Sequence, residues 1–273
     1  MEQLPDYCRQ CPLAKQARTD TELANVCLKV KTAIYSVHHS TGTNREMQEN
    51  MRQHVIAALQ PHRAELILHS CNHQCAGGDG IEVLPMKNGK IIFMYDINGH
   101  GTPATIKRAE VITACRTFVD DAHVQSASDV EKLAHAINNG LIETSEYNLP
   151  RIEGMLLGID EVEHALYPAK FGAMNAYIQS EDYVIDPLVD AASPASETWF
   201  GIHEFSNLHT KPRPYHAGDT VLLCSDGIAP IRETQDALIA AWSAKQMQGV
   251  QGLMQDKHME QQDDVTVLQL TLL

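Results

Sequence analysis

Three acidic turns, each at the edge of a β-like apolar run, constrain this 273-residue chain more than any other feature. Asp96 closes the run Lys90-Ile-Ile-Phe-Met-Tyr95 and opens Ile97-Asn-Gly-His-Gly101. Asp226 follows the run from Asp219 to Ser225 and is succeeded by Gly227, while Asp263 and Asp264 open Val265-Thr-Val-Leu-Gln-Leu270. A carboxylate at a strand end is held by a rigid sheet. Several of them converging from distant positions make an oxygen-rich site suited to Mg²⁺ or Mn²⁺ rather than to zinc, which favours imidazole and thiolate. Asp79, in Ala76-Gly-Gly-Asp-Gly80, is a fourth member, because its flanking glycines let backbone carbonyls approach an ion closely.

Each motif has a plainer reading. Asp-Gly after a strand is most often only a turn, and Gly77-Gly78-Asp79 alone is no more specific. Asn98-Gly-His-Gly101 is less ordinary, since Thr102-Pro103-Ala104 begins a helical pattern where a hairpin would need a second strand. The specificity lies in all four acidic positions occurring in this order.

The periodicity divides the chain at about residue 62. Before it, Leu23, Val26, Cys27, Val30 and Ile34 recur at helical spacing, Ser40 to Asn44 interrupt them, and Glu46 to Leu59 resume. A helical hairpin of that size buries its apolar face poorly alone. Residues 1–62 are therefore expected to dock on the rest of the chain or to form a homodimer. From Ala64 the pattern turns to strands, expected at about 64–72, 81–86, 90–96, 154–160, 163–168, 175–179, 183–186, 219–224 and 265–272, with Asp160-Glu161 turning a central hairpin. Helices are expected from Pro103 to Ala122, from a capping box at Ser128-Asp-Val-Glu131, and as two pieces after Thr234, broken between Lys245 and Gly249. Periodicity alone supports a mixed α and β domain.

On these motifs the chain resembles the metal-dependent protein phosphatase superfamily, protein phosphatase 2C-like, in its bacterial SpoIIE/RsbU/RsbX branch. The resemblance covers roughly residues 64–273 and implies an α+β fold in which two antiparallel β-sheets pack as a sandwich flanked by helices, with residues 1–62 as a helical N-terminal extension. It also implies two ions, Mn²⁺ or Mg²⁺. Asp96 would bridge them; Asp226 and Asp263 would complete the first, and Asp79 with the backbone carbonyl of Ile97 would serve the second. Asp96, Asp226 and Asp263 are the residues the resemblance makes catalytic. In such enzymes the ions activate a water and draw charge from the phosphate oxygens, so no covalent phosphoenzyme is needed. The chain departs from the pattern at Glu82, where a second aspartate is common, and at Asn98, where a serine is usual. Pro168-Ala-Lys-Phe-Gly-Ala173 matches the usual Asn-Ala-Gly-His only loosely. Lys170 in that stretch could contact phosphate, although an ordinary surface lysine is the simpler reading.

Charge and cysteine usage exclude several classes. Residues 1–63 hold 8 Lys and Arg against 6 Asp and Glu, and residues 64–273 hold 13 against 29. The balances of +2 and −16 leave the catalytic part acidic, which repels nucleic acid and counts against a two-metal nuclease or phosphodiesterase. The seven cysteines are irregularly spaced and read as reduced thiols; Cys8-x-x-Cys11 lacks a second pair, and Cys71 and Cys75 fit packing on one strand face. No apolar run approaches the roughly 20 residues of a membrane helix and no secretion signal is evident, so a cytoplasmic protein without a membrane partner is expected. The expected activity is that of a serine/threonine phosphoprotein phosphatase of the stand-alone RsbX type, whose substrate is a phosphorylated STAS-type anti-sigma-factor antagonist or stressosome protein. The alternative is a catalytically weak module that binds a regulatory phosphoprotein.

Overall fold

The computed structural model describes residues 44–69, 78–98, 108, 111–112, 115, 125–144, 152–180, 182, 184–189, 199–202, 205, 208, 210–228, 232–256 and 264–273. Ten strands form two five-stranded antiparallel sheets. The first sheet has the order β1 (Arg63–His69), β10 (Val265–Thr271), β9 (Thr220–Cys224), β6 (Asn175–Gln179), β7 (Ile185–Pro187). The second has the order β2 (Gly80–Met86), β3 (Gly89–Ile97), β4 (Ile152–Asp160), β5 (Ala165–Phe171), β8 (Arg213–Pro214). Helix α1 (Asn44–Ala58) precedes β1, α2 (Val130–Thr144) lies between β3 and β4, and α3 (Arg232–Asp256) lies between β9 and β10.

Period-two alternation on each strand builds a four-layer molecule. Between the sheets lie Leu66, Ile81, Ile92, Met94, Met155, Leu157, Ile159, Leu166, Val221, Leu223, Leu268 and Leu270. On the outer face of the second sheet, Ile91, Phe93, Tyr95, Leu156 and Phe171 meet Val130, Leu133, Ala134, Ile137 and Leu141 of α2. The helix follows because those five α2 residues recur at 3, 4, 7 and 11 positions from Val130 and are all at most 1% exposed. Gly158 lets the start of that layer close down, since a Cβ there would stand 2.0 Å from the Ala127 carbonyl oxygen. On the outer face of the first sheet, Leu222, Cys224, Val265 and Val267 pack against Leu238, Trp242 and Val250 of α3. This is the expected two-sheet sandwich flanked by helices.

Several local expectations shift. The N-terminal cap before α2 is Ser126 rather than Ser128: its side chain accepts from the Ser128 amide, Asp129 completes the box, and one 3₁₀ turn (Ala127–Asp129) leads into α2. Both serine positions satisfy the capping spacing, and Asn88 decides between them by donating to Ser126 Oγ at 3.0 Å and accepting from the Ala127 amide at 2.9 Å. After Thr234 the expected break is present: the backbones of Lys245 and Gln246 leave the helical region and divide α3 into two helical pieces. Of the helix expected at 103–122, Arg108, Val111, Ile112 and Cys115 are helical, with Val111 and Cys115 fully buried; the remainder lies outside the described residues. Cys8, Cys11, Cys71 and Cys75 also lie outside them.

Residues 1–47 and 48–273 form separate compact units. Helix α1 lies mostly in the second of these: Val55 and Leu59 are 2% and 0% exposed and belong to the core between the sheets. The strand pattern read from the sequence starts at Ala64 and the first strand at Arg63, yet the compact unit holding the sheets takes in most of the preceding helix. Among the described residues no helix is long and apolar enough to cross a membrane.

Candidate metal centre

On β3, Ile91, Phe93 and Tyr95 face the α2 layer and Ile92 and Met94 face the other sheet, so alternation places Asp96 on the inter-sheet side. Asp96 ends the strand half-buried, directly across from Glu153 of β4. The Ile97 amide then donates to the Gly78 carbonyl at 3.3 Å. Gly78 in turn reaches the first sheet, its amide donating to Asp264 Oδ2 at 2.6 Å. One glycine therefore fastens the end of β3 to the start of β10, and Asp79 follows it into the gap between the sheets.

Asp79 is 8% exposed, and its Oδ2 accepts from the Ser225 hydroxyl at 2.8 Å. Ser225 is fully buried and its Oγ accepts in turn from the Thr266 amide at 2.9 Å. Burial pushes the Asp79 carboxyl up to about 7; hydrogen bonds from Ser225 and Thr266 oppose that rise, and the charges of Asp264 and Asp226 add to it. The turn carrying Asp226 presses on the same place, since a Cβ on Gly227 would lie 2.0 Å from the Asp264 carbonyl oxygen. The glycine of Ser-Asp-Gly is thus required by close approach of two chains.

The structure brings Asp226 and Asp264 within electrostatic reach of Asp79, and Gly78 joins the Ile97 amide, next to Asp96, to Asp264. Asp263 lies outside the described residues. Among the described residues no set of three or more His, Cys, Asp or Glu side chains is close enough to share an ion. The donor chemistry nonetheless fits a hard divalent cation: the converging groups are carboxylates, and burying them together is unfavourable without a counter-charge. Cys224 is no rival nucleophile, because burial pushes its thiol up to about 12.

Glu82 does not join this group. Alternation from Ile81 and Leu84 turns it to the α2 side, where it lies near the buried Tyr95 hydroxyl with Arg108 and Cys115. Two residues of the site escape the sequence reading. Glu153 accepts from the Ala173 amide at 2.5 Å and from Trp199 Nε1 at 3.0 Å, so Trp199 stands at the rim beside Asp96. The sequence pattern starts β4 at residue 154; its true start at Ile152 puts Glu153 on the inter-sheet face opposite Asp96. Lys170 differs from the surface lysine expected: it is half-buried, on the same inter-sheet face of β5 as Leu166, within reach of Glu153 and Cys224.

The fold is the two-sheet sandwich of the protein phosphatase 2C class, and solved structures share it. The chain is similar to the SiaA-PP2C domain of Pseudomonas aeruginosa, at 15% identity and TM-score 0.66 over 91% of this chain and 98% of that one. It is similar to RsbX in complex with magnesium, at 14% identity and TM-score 0.59 over 78% and 97%. A third likeness is to the phosphatase domain with a regulatory fragment of SpoIIE from Bacillus subtilis, at 18% identity and TM-score 0.58 over 77% and 62%. No curated protein sequence matches the chain. The family model for stage II sporulation protein E (SpoIIE) matches residues 87–273, more than half of the sequence, and the chain belongs to that family.

Proposed function

We propose that the protein is a Mn²⁺- or Mg²⁺-dependent serine/threonine phosphoprotein phosphatase whose substrate is a phosphorylated STAS-type regulator. The observation that carries this reading is the convergence of Asp79, Asp226 and Asp264 between the sheets beside Asp96. Asp96, Asp226 and Asp263 would hold one ion, and Asp79, Asp96 and the Ile97 carbonyl a second. Bound there, the ions would supply an activated water and neutralise phosphate charge. The chain's own part is positional. Ser225 and Thr266 orient the Asp79 carboxylate, Asp264 holds the Gly78 amide, and the two sheets fix the carboxylates before any ion arrives, so little reorganisation is needed when one binds.

Support for the substrate class comes from relatives: solved structures similar in fold include RsbX with magnesium, the RsbU and RsbW domains of a Mycobacterium tuberculosis protein, and a bacterial stressosome component. A STAS-type phosphoprotein, a cytoplasmic setting and a homodimer through residues 1–62 belong to this reading. The test is hydrolysis of p-nitrophenyl phosphate with and without Mn²⁺, followed by release of phosphate from a phosphorylated STAS protein. Metal-dependent turnover is expected; its absence in folded, Mn²⁺-saturated protein favours the binding-module alternative.

A further inference from the structure

Among the described residues, two lysines stand on the inter-sheet face of the second sheet, Lys90 and Lys170. Lys90 is fully engaged: its ammonium donates to the Gln60 carbonyl at 2.6 Å and pairs with Glu161 at 2.8 Å. Lys170 makes no hydrogen bond or ion pair with a described residue, yet it is half-buried. Its pKa is lowered by burial, a shift that the charge of Glu153 opposes. Glu153, whose two oxygens accept from Ala173 and Trp199, is not within ion-pair distance of it. A cation removed from water without a partner is costly, and one kept at the mouth of a site is poised for an arriving anion.

The placement says which anion. Lys170 is in register with Met155, which is in register with Met94; the next inter-sheet row is Asp96 opposite Glu153. Rows on one face are about 6.8 Å apart and neighbouring strands about 4.8 Å, so the Lys170 and Asp96 Cα atoms are roughly 12 Å apart. The four-carbon stem of a lysine and a phosphoryl group between the two residues span that distance. From the other sheet, Cys224 feels both the Lys170 ammonium and the Asp226 carboxylate, so the lysine also borders the Asp226 turn.

We propose that Lys170 contacts the phosphoryl oxygens of the substrate and of the phosphate product, acting as the protein's own cation beside the carboxylate centre. This rests on the phosphatase reading for its substrate, but not for its test. Inorganic phosphate is titrated into Mg²⁺-saturated wild-type protein, Lys170→Met and Lys170→Arg by calorimetry, with Mg²⁺ affinity and melting temperature measured on the same samples. Methionine keeps the apolar stem beside Met155. Phosphate affinity should fall at least tenfold in Lys170→Met and recover most of the way in Lys170→Arg, with Mg²⁺ affinity within twofold of wild type. In turnover the same variant should raise KM for p-nitrophenyl phosphate, and the inhibition constant of phosphate, more than it lowers kcat.

Equal phosphate affinity in wild type and Lys170→Met overturns the proposal. So does a variant that loses only stability or Mg²⁺ affinity, which makes the lysine a structural counter-ion for Glu153. If Lys170→Met does not fold, Lys170→Gln decides: an at least tenfold loss of phosphate affinity with Mg²⁺ affinity unchanged supports the proposal, and phosphate affinity within twofold of wild type overturns it. A wild-type protein that binds phosphate through Lys170 but hydrolyses nothing refutes the phosphatase reading alone.

Discussion

At the residue scale, the acidic positions divide into those that hold charge and those that hold shape. Asp96 takes no part in the bonds that tie Gly78 between the sheets, so replacing it should leave the fold intact. If Asp96 is the shared ligand of two ions, as proposed, Asp96→Asn should lower turnover at least about a hundredfold, because electrostatic stabilisation at such a centre is worth several kcal/mol. Near wild-type activity in the folded variant would refute the assigned site. The neighbouring pair at the start of β10 gives a sharper comparison. Asp264 is 5% exposed and already accepts from the Gly78 amide, which fits a supporting role, whereas Asp263 carries the proposed ligand role. Asp263→Ala should weaken Mn²⁺ binding far more than Asp264→Ala, and Asp264→Ala should lose more melting temperature. Calorimetry and thermal melts on both variants check it, and the reverse ranking moves the ligand role to Asp264.

At the element scale, a polar knot closes the end of the sandwich away from Asp96. His62 is fully buried, its Nδ1 accepting from the Leu273 amide at 3.1 Å and its Nε2 lying 3.1 Å from Glu161, which also pairs with Lys90. Burial and the Lys90 charge hold the His62 pKa below 6.5, against the pull of Glu161. The sign follows from linkage. The unfolded chain takes up this proton at about pH 6.5 and the folded chain only at lower pH, so the contribution is present above that value and is lost as pH falls below it. Denaturant midpoints measured from pH 7.5 to 5 should therefore decline, and His62→Gln should decline less steeply. An identical slope in the variant would remove His62 as the cause. This knot was invisible in the sequence, since a lone histidine, a lysine in a strand and a turn glutamate carry no spacing that links them. The strands were legible for the opposite reason: β3, β6 and β9 alternate or run apolar between clear turns, and their expected limits agree with the observed ones to within a residue. Asp96 and Asp226 could be picked out because each ends such a run, and Asp79 because glycines flank it, whereas Glu153 and the placement of Lys170 required the registers across β3, β4 and β5.

At the scale of the whole molecule, the sequence separates an N-terminal stretch with a balance of +2 from an acidic remainder with −16, and the proposed ligands all lie in the latter. A cut at Arg63 would look harmless from charge and motif alone, since Asp79, Asp96, Asp226 and Asp263 lie beyond it. The packing argues for an earlier cut. Helix α1 and the turn after it insert Val55 and Leu59 into the core between the sheets, and Met51 packs against the same core. Each fully buried aliphatic side chain is worth about 1.5–3 kcal/mol, so losing two removes a large share of the roughly 5–15 kcal/mol by which a domain is stable. A chain starting at Asn44 should fold, keep its melting temperature within a few degrees of the full chain, and turn over p-nitrophenyl phosphate with Mn²⁺ at the full-length rate. A chain starting at Arg63 should melt markedly lower or aggregate, because it also exposes the apolar surface that α1 covers. Light scattering on the Asn44 chain addresses the remaining role of residues 1–43: a fall in mass from dimer to monomer with small-substrate turnover intact assigns them to self-association. Equal stability of the Arg63 and Asn44 chains would show that α1 is dispensable to the core, and would return the boundary to the one the strand pattern suggests.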